Sequence, residues 1–112
     1  MPEVLRLRKG WEFDELFRTG IRSSGELVRL LFLRDGKENA IKFGCAVGKR
    51  QGKAHVRSRG RRILREAFRQ ISGKTVPGLK IVLCLSEKGL NSKTQDIYRE
   101  LETLFRRKKL LL

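Results

Sequence analysis

The sequence predicts an α+β protein, with residues 1–112 forming one domain in the order α-β-β-β-α-β-α. We expect a mainly antiparallel, four-stranded sheet with helices packed on it. The chain is long enough for one core, because 39% of its 112 residues are hydrophobic. Three segments have apolar residues at helical spacing, and apolar or alternating runs lie between them. No repeat, Pro/Ser-rich linker or change in composition divides the chain.

The first helix and the first strands are predicted before residue 48. Trp11 to Arg18 has helical periodicity, and Gly20 suits its C-terminal end. Leu27 to Leu33 is an apolar run, which indicates a strand that is buried on both faces over part of its length. Ile41 to Val47 alternates as a half-buried strand does. Because Asp35-Gly36 is a turn signal between these runs, we predict that they pair as an antiparallel hairpin.

The second half of the chain is predicted to alternate helix, strand and helix. Val56 to Ile71 has apolar residues on one side and arginines on the other, and Gly73 suits its end. Leu79 to Leu85 is an apolar strand. The passage from residue 41 to 85 is long enough for a crossover between parallel strands. A capping-box pattern, Ser92 with Gln95, opens a last helix whose apolar face is Ile97, Leu101, Leu104 and Phe105.

The charge of the chain indicates a polyanionic partner. There are 27 Lys and Arg residues against 12 Asp and Glu, a net charge of +15, and the pI is about 10.9. Nucleic acid is the first candidate and an anionic membrane the second. No apolar run approaches the roughly 18 residues of a membrane helix, and the N-terminus lacks the layout of a signal peptide. We therefore predict a cytoplasmic nucleic-acid-binding protein without a membrane partner.

The inventory of reactive side chains predicts neither catalytic residues nor metal ligands. Cys45 and Cys84 lie in apolar segments, as free thiols of a reducing compartment do. With a single histidine, His55, a zinc site is not expected. The carboxylates are scattered, so neither a His-based nor a two-metal nuclease site is indicated.

The dense basic segment from Lys49 to Arg69 is the strongest functional signal. Glu66 is the only acidic residue within it. Like charges at i,i+3 and i,i+4 destabilise a helix unless a partner supplies counter-charge, and the arginine fork matches phosphate. We predict a surface that follows an RNA backbone; the alternative is a solvated basic face. Nine of the twenty-one residues from Lys49 to Arg69 are basic, namely Lys49, Arg50, Lys53, Arg57, Arg59, Arg61, Arg62, Arg65 and Arg69.

Two phenylalanines, Phe13 and Phe17, lie one helical turn apart in the first helix. They are either core residues or a stacking platform for unpaired bases, and burial distinguishes the two interpretations.

The segment from Lys53 to Arg69 closely resembles the signature of the bacterial ribonuclease P protein family. That signature reads Lys-Ala-hydrophobic-x-Arg-Asn-Arg, an apolar residue, two basic residues, two apolar residues, Arg, and Ala-Phe. Gly44 to Arg50 is similar to the family's segment of a glycine, a strand and Ser-Lys-Lys. Trp11 to Gly20 is similar to its first helix, with both phenylalanines in place.

The resemblance implies a subunit of an endoribonuclease. Family members assist a catalytic RNA in removing the 5′ leader from precursor tRNA, and the RNA with its magnesium ions performs the hydrolysis. The protein is expected to be monomeric, one per RNA, with no metal bound by protein alone. The fold implied is that of the second domain of a small-subunit ribosomal protein, with a left-handed β-α-β crossover where the general rule predicts a right-handed one.

The resemblance also implies two binding surfaces. The nine basic residues, together with Ser58 in the same motif, are expected to contact the catalytic RNA. A cleft between the first helix and the sheet is expected to bind the single-stranded leader through Phe13, Phe17 and Leu31. Leu31 stands where the family often has an aromatic residue.

Two residues depart from the motif. Ser58 replaces the usual Asn and has a shorter reach. Gly60 replaces an apolar residue and costs about 1 kcal/mol of helix propensity relative to Ala, so we expect a frayed or distorted first turn. Two other functions stay open: a ribosomal-type or RNA-chaperone protein without a role in cleavage, and a protein-only nuclease, which the missing acid and base residues disfavour.

Overall fold

The computed structural model describes residues 3–35, 39–48 and 52–112. Its elements follow the chain in the order β1 (Glu3–Arg6), α1 (Gly10–Thr19), β2 (Ile21–Ser24), β3 (Val28–Arg34), β4 (Ala40–Ala46), α2 (Ala54–Ser72), β5 (Leu79–Leu85), α3 (Glu87–Leu90) and α4 (Thr94–Arg107). The α+β class is as predicted, and the three long helices and the strands β3, β4 and β5 lie within one or two residues of their predicted positions.

Over residues 3–35, 39–48 and 52–112 the sheet has five strands in the order β1-β4-β5-β3-β2, so the prediction of four was wrong. The additional strand, β1, is short and exposed along its length, and it pairs parallel to β4. The prediction of a mainly antiparallel sheet was also wrong. Of the four pairings, β1 with β4 and β4 with β5 are parallel, whereas β3 is antiparallel to both β5 and β2.

The predicted hairpin of β3 and β4 does not form, because β5 lies between these strands. The turn signal at Asp35-Gly36 indicates only that the chain reverses, and it does not specify a pairing partner; Gly36 itself lies outside the described residues. β5 is largely buried and takes the centre of the sheet, where both of its edges are paired. The crossover β4–α2–β5 therefore joins parallel neighbours, and its left-handed sense stays an expectation.

Helices cover both faces of the sheet. On one face, α2 and α4 pack over the main core, where the rings of Phe43 and Phe68 stack with their centroids 3.9 Å apart. On the other face, α1 covers a smaller core of Leu7, Leu16, Leu31 and Val82. β3 contributes to both, since Leu30 faces the main core and Leu31 faces α1. This explains why the run from Leu27 to Leu33, which is apolar except for Arg29, predicted burial on both faces over part of its length.

The start of α4 differs from the prediction. Lys93 is the N-cap residue and forms no side-chain cap, so the capping box of Ser92 and Gln95 is absent. The unpredicted helix α3 immediately precedes this position, and the Ser92 hydroxyl donates instead to the Lys88 carbonyl (3.0 Å). A serine side chain that could cap a helix can form other local hydrogen bonds instead, and the Ser92 hydroxyl forms the bond to the Lys88 carbonyl.

Gly60 allows α2 to approach its neighbours closely. A Cβ atom at this position would lie 2.8 Å from Cδ2 of Leu90 and 3.3 Å from side-chain atoms of Leu85 and Val47. The helix is continuous from Ala54 to Ser72, so the prediction of a frayed or distorted first turn was wrong. Close packing against Leu90 offsets the low helix propensity of glycine.

Candidate nucleic-acid interface

The outer face of α2 carries the predicted arginines. Arg59, Arg62, Arg65 and Arg69 are exposed, and so is Ser58. Arg57 and Arg61 are partly buried at the edge of this face. The opposite face of the helix, formed by Gly60, Leu64, Ala67, Phe68 and Ile71, is buried. The amphipathic pattern in the sequence therefore places the basic side chains in solvent, where a partner can reach them.

The loop before α2 is described only in part. Lys53 is exposed and is the N-cap residue of α2, without a side-chain cap. Gly52 has φ of +145°, a backbone conformation that L side chains rarely adopt. Lys49 and Arg50, which were predicted to bind RNA, lie outside the described residues.

Most arginines of α2 have no carboxylate partner among the residues that the structure describes. Arg69 pairs with Glu66, and the Arg61 guanidinium donates to the Ser58 hydroxyl (3.1 Å). The buried Nε of Arg57 has no hydrogen-bond partner in the described part of the chain. Other carboxylates pair with lysines elsewhere, namely Glu12 with Lys42, Glu15 with Lys80, Glu26 with Lys88 and Glu102 with Lys74. Positive charge is thus concentrated on α2, and Arg69 is the only arginine of this helix that is paired with a carboxylate of the described residues.

A cleft of about 720 Å³ lies beside Phe17, on the face of the sheet that carries α1. Phe17 is 36% exposed and borders this cleft. Its floor is a row of four residues, one from each of four neighbouring strands. Ser24 lies opposite Arg29, Arg29 opposite Cys84, and Cys84 opposite Ala46. The Arg22 guanidinium donates to the Phe17 carbonyl, which ties the end of α1 to β2.

Positive charge reaches into this cleft. Burial raises the pKa of the Cys84 thiol, and the guanidinium groups of Arg29 and Arg22 act in the opposite direction, so both lie within electrostatic range of the sulfur. An exposed aromatic ring with two guanidinium groups nearby is an arrangement that suits single-stranded nucleic acid.

The other two residues expected in the leader cleft lie elsewhere. Phe13 packs against the smaller core, and its ring lies so close to Gly44 that a Cβ atom at this glycine would be 2.6 Å from it. Phe13 also borders a second cavity, beside β1. Leu31 is 0% exposed beneath α1. Its side chain offers no surface to a ligand, so we correct its expected role from leader contact to support of the helix that carries Phe17.

No pattern in the sequence indicated that Arg29, Ser24, Ala46 and Cys84 line one cleft. They come from four different strands, and only the strand order brings them into one row. Alternation along β3 is the one signal that could have identified Arg29, because it shares the α1 side of the sheet with Leu31.

Neither a metal site nor a membrane helix is found in the part of the chain that the structure describes. No group of three or more His, Cys, Asp or Glu side chains there could hold a metal ion. No helix among those residues has the length and apolar composition needed to cross a lipid bilayer.

Comparison with known proteins gives a consistent result. The sequence profile of the family Ribonuclease P matches residues 1–109. The ribonuclease P protein component of Chlamydia trachomatis serovar L2 is 36% identical over 83 residues, which are 74% of this chain and 68% of that protein. That of Natranaerobius thermophilus is 27% identical over 99% of this chain and 96% of its own length.

Solved structures show the same fold. The RNase P protein of Thermotoga maritima superposes with a TM-score of 0.80 at 27% identity, covering 91% of this chain and 96% of that one. The Staphylococcus aureus RNase P protein gives a TM-score of 0.82 at 19% identity, covering 96% and 97%. At this lower identity the second likeness concerns the fold alone.

Proposed function

The chain belongs to the ribonuclease P protein family, and on that premise we propose that it assists a catalytic RNA in removing the 5′ leader from precursor tRNA. The observation that carries this proposal is the arginine face of α2, which has almost no counter-charge among the described residues. Such a face is unfavourable in a free protein and becomes favourable against a phosphate backbone.

The arginine face is the proposed contact with the catalytic RNA. Arginine binds phosphate through two parallel hydrogen bonds, and each neutralised phosphate releases condensed counterions. The full proposed contact set is Lys49, Arg50, Lys53, Arg57, Ser58, Arg59, Arg61, Arg62, Arg65 and Arg69.

The cleft beside Phe17 is the proposed site of the leader. Phe17 would stack on an unpaired base, and Arg29 at the cleft floor would neutralise a leader phosphate. Only the precursor has a leader to fill this cleft, so binding there favours the substrate over the mature product.

The protein contributes binding in this proposal, and the RNA subunit with its magnesium ions supplies the hydrolysis. No residue of the chain is assigned a catalytic role. One protein is proposed to bind each RNA as a monomer in the cytoplasm.

A cleavage assay tests the proposal directly. A bacterial ribonuclease P RNA and a precursor tRNA are combined at low magnesium concentration, with and without the protein. We expect faster cleavage with the protein, because its cations reduce the repulsion between RNA phosphates that magnesium otherwise screens. A ribosomal-type or chaperone protein would bind the RNA with a steep salt dependence and leave the cleavage rate unchanged. Cleavage without any RNA subunit would indicate a protein-only nuclease.

Replacing Phe17 with alanine is expected to weaken binding of the precursor to the assembled enzyme by about tenfold, since stacking on an aromatic side chain is worth about 1–3 kcal/mol per base. Affinity for tRNA without a leader and for the catalytic RNA should not change. The measurement is the ratio of the two tRNA affinities.

Ile21→Ala is the matched control for this substitution. Ile21 is also apolar and exposed, but it lies opposite Phe32, on the other side of the sheet. An equal loss of precursor affinity in both variants, or a loss in tRNA without a leader, would contradict the assignment of the cleft.

A further inference from the structure

A second cavity, of about 340 Å³, opens where β1 ends beside β4. The pairing of the two strands stops at Arg6 opposite Phe43, and the Leu7 N–H donates to the Phe43 carbonyl (3.0 Å). From there the chain leaves the sheet toward α1, whereas β4 continues to Ala46. Gly44 and Cys45, beyond the end of the pairing, line the cavity.

The walls of this cavity differ in character. Three arginines line it, Arg6 from β1 and Arg61 and Arg65 from α2. Leu7, Phe13 and Phe43 provide apolar surface. Cations next to apolar and aromatic surface match the two parts of a nucleotide, the phosphate and the base.

The three arginines line the same cavity, and all three lie near the Cys45 thiol at its wall. Burial raises the pKa of the Cys45 thiol to about 12, and Arg65, Arg61 and Arg6 each oppose this shift. All three therefore lie within electrostatic range of a single sulfur atom at the cavity wall. None of them forms an ion pair with a carboxylate of residues 3–35, 39–48 or 52–112. An anion in the cavity would supply the counter-charge.

We infer that this cavity binds one unpaired RNA nucleotide, with its phosphate on Arg6, Arg61 and Arg65 and its base against the apolar wall. The volume is at the lower end of the range of small-ligand pockets, which suits a single nucleotide. The presence of RNA at this site rests on the proposed function, since the cavity joins the arginine face of α2. The nucleotide belongs either to the catalytic RNA or to the precursor leader. The leader is a candidate because Phe13 extends the cavity toward the α1 side of the sheet.

The first test uses the free protein and no RNA subunit. Adenosine 5′-monophosphate, adenosine and inorganic phosphate are titrated separately, and the methyl NMR signals of Val4 and Leu7, which line the cavity, are followed. Those signals should shift with the nucleotide, whose affinity should exceed that of either fragment. Arg6→Gln should weaken nucleotide binding by about fivefold through loss of a charge-assisted hydrogen bond.

Arg8→Gln is the matched control, because it removes the same charge two residues away and Arg8 does not line this cavity. Equal weakening in both variants, or nucleotide-induced shifts no larger than those from phosphate alone, would overturn the inference. If the wild-type protein still accelerated cleavage in that case, the proposed function would stand and the nucleotide site alone would fail.

The second test identifies the source of the nucleotide in the assembled enzyme. A photoreactive benzophenone side chain is placed at Val4, which is 45% exposed and lines the cavity. Glu3 serves as the control position, since it is exposed and does not line the cavity. A cross-link to one nucleotide from position 4 and not from position 3 supports the site, and the labelled strand shows whether the catalytic RNA or the leader supplies it. Absence of a position-specific cross-link to either strand overturns the inference.

Discussion

Replacing Arg59, Arg62 and Arg65 together with glutamine is expected to lower the affinity for the catalytic RNA by about 100-fold at physiological salt, at about 1 kcal/mol for each partly screened contact. The three side chains are exposed on α2, and none pairs with a carboxylate among the described residues. Their loss should also reduce the slope of log affinity against log salt by about 2.7, because each phosphate contact contributes about 0.9. Filter binding or fluorescence anisotropy over a range of salt concentrations measures both quantities.

A second triple variant separates this effect from net charge. Arg99, Arg106 and Arg107 are exposed on α4, and their replacement with glutamine removes the same charge. We expect it to keep most of the affinity, while circular dichroism verifies that both proteins are folded. Equal losses in the two variants would show that total charge governs binding, and the assignment of the α2 face would then be wrong.

Replacing Glu100 with alanine is expected to destabilise the protein by about 3 kcal/mol, because a carboxylate that accepts several backbone hydrogen bonds is lost. From α4, one carboxylate oxygen accepts the N–H of Glu26 (2.7 Å), and the other accepts those of Leu27 (2.8 Å) and Val28 (2.7 Å). Gly25 permits this approach, since a Cβ there would lie 2.3 Å from Cδ of Glu100. Urea denaturation should show a lower midpoint with an unchanged slope.

The same substitution should affect the proposed leader site beside Phe17, because Gly25 and Val28 line that cleft. At a temperature where the Glu100 variant is still folded, we expect weaker discrimination between precursor and mature tRNA. Asp14→Ala is the control, since it removes an exposed carboxylate from α1 and should change stability by less than about 0.5 kcal/mol. A Glu100 variant as stable as the Asp14 variant would show that water replaces the carboxylate at these three donors.

Of the proposed binding surfaces, the arginine face of α2 was the one most readily predicted from the sequence. Helical periodicity relates residues three and four positions apart, so the apolar and basic sides of α2 follow from a short window of sequence. The structure confirms this division, with Leu64 and Phe68 buried and Arg62 and Arg65 exposed. The family signature lies within the same window, which is why the resemblance could be stated from these residues.

The two cavities could be predicted from the sequence to a much smaller extent. Leu31 and Phe13 occupy sequence positions that suggested contact with the leader, yet Leu31 is buried beneath α1, and Phe13 packs toward Gly44 at the second cavity and not in the cleft beside Phe17. Arg29 and Arg6 carried no signal of their own. Their importance depends on which strands are neighbours, and the turn signal at Asp35 led to the wrong neighbour for β3.

Charge, helix positions and the amphipathic division of α2 are therefore properties that the chain encodes locally, because they depend on residues within one or two helical turns. The row from Ser24 to Ala46, the Glu100 contacts and the arginine-lined cavity beside β1 arise from pairing over long sequence distances. Insertion of β5 between β3 and β4 creates the first of them. β5 takes this position because burial of the most apolar strand at the centre of the sheet is favourable. That burial depends on the whole assembled core.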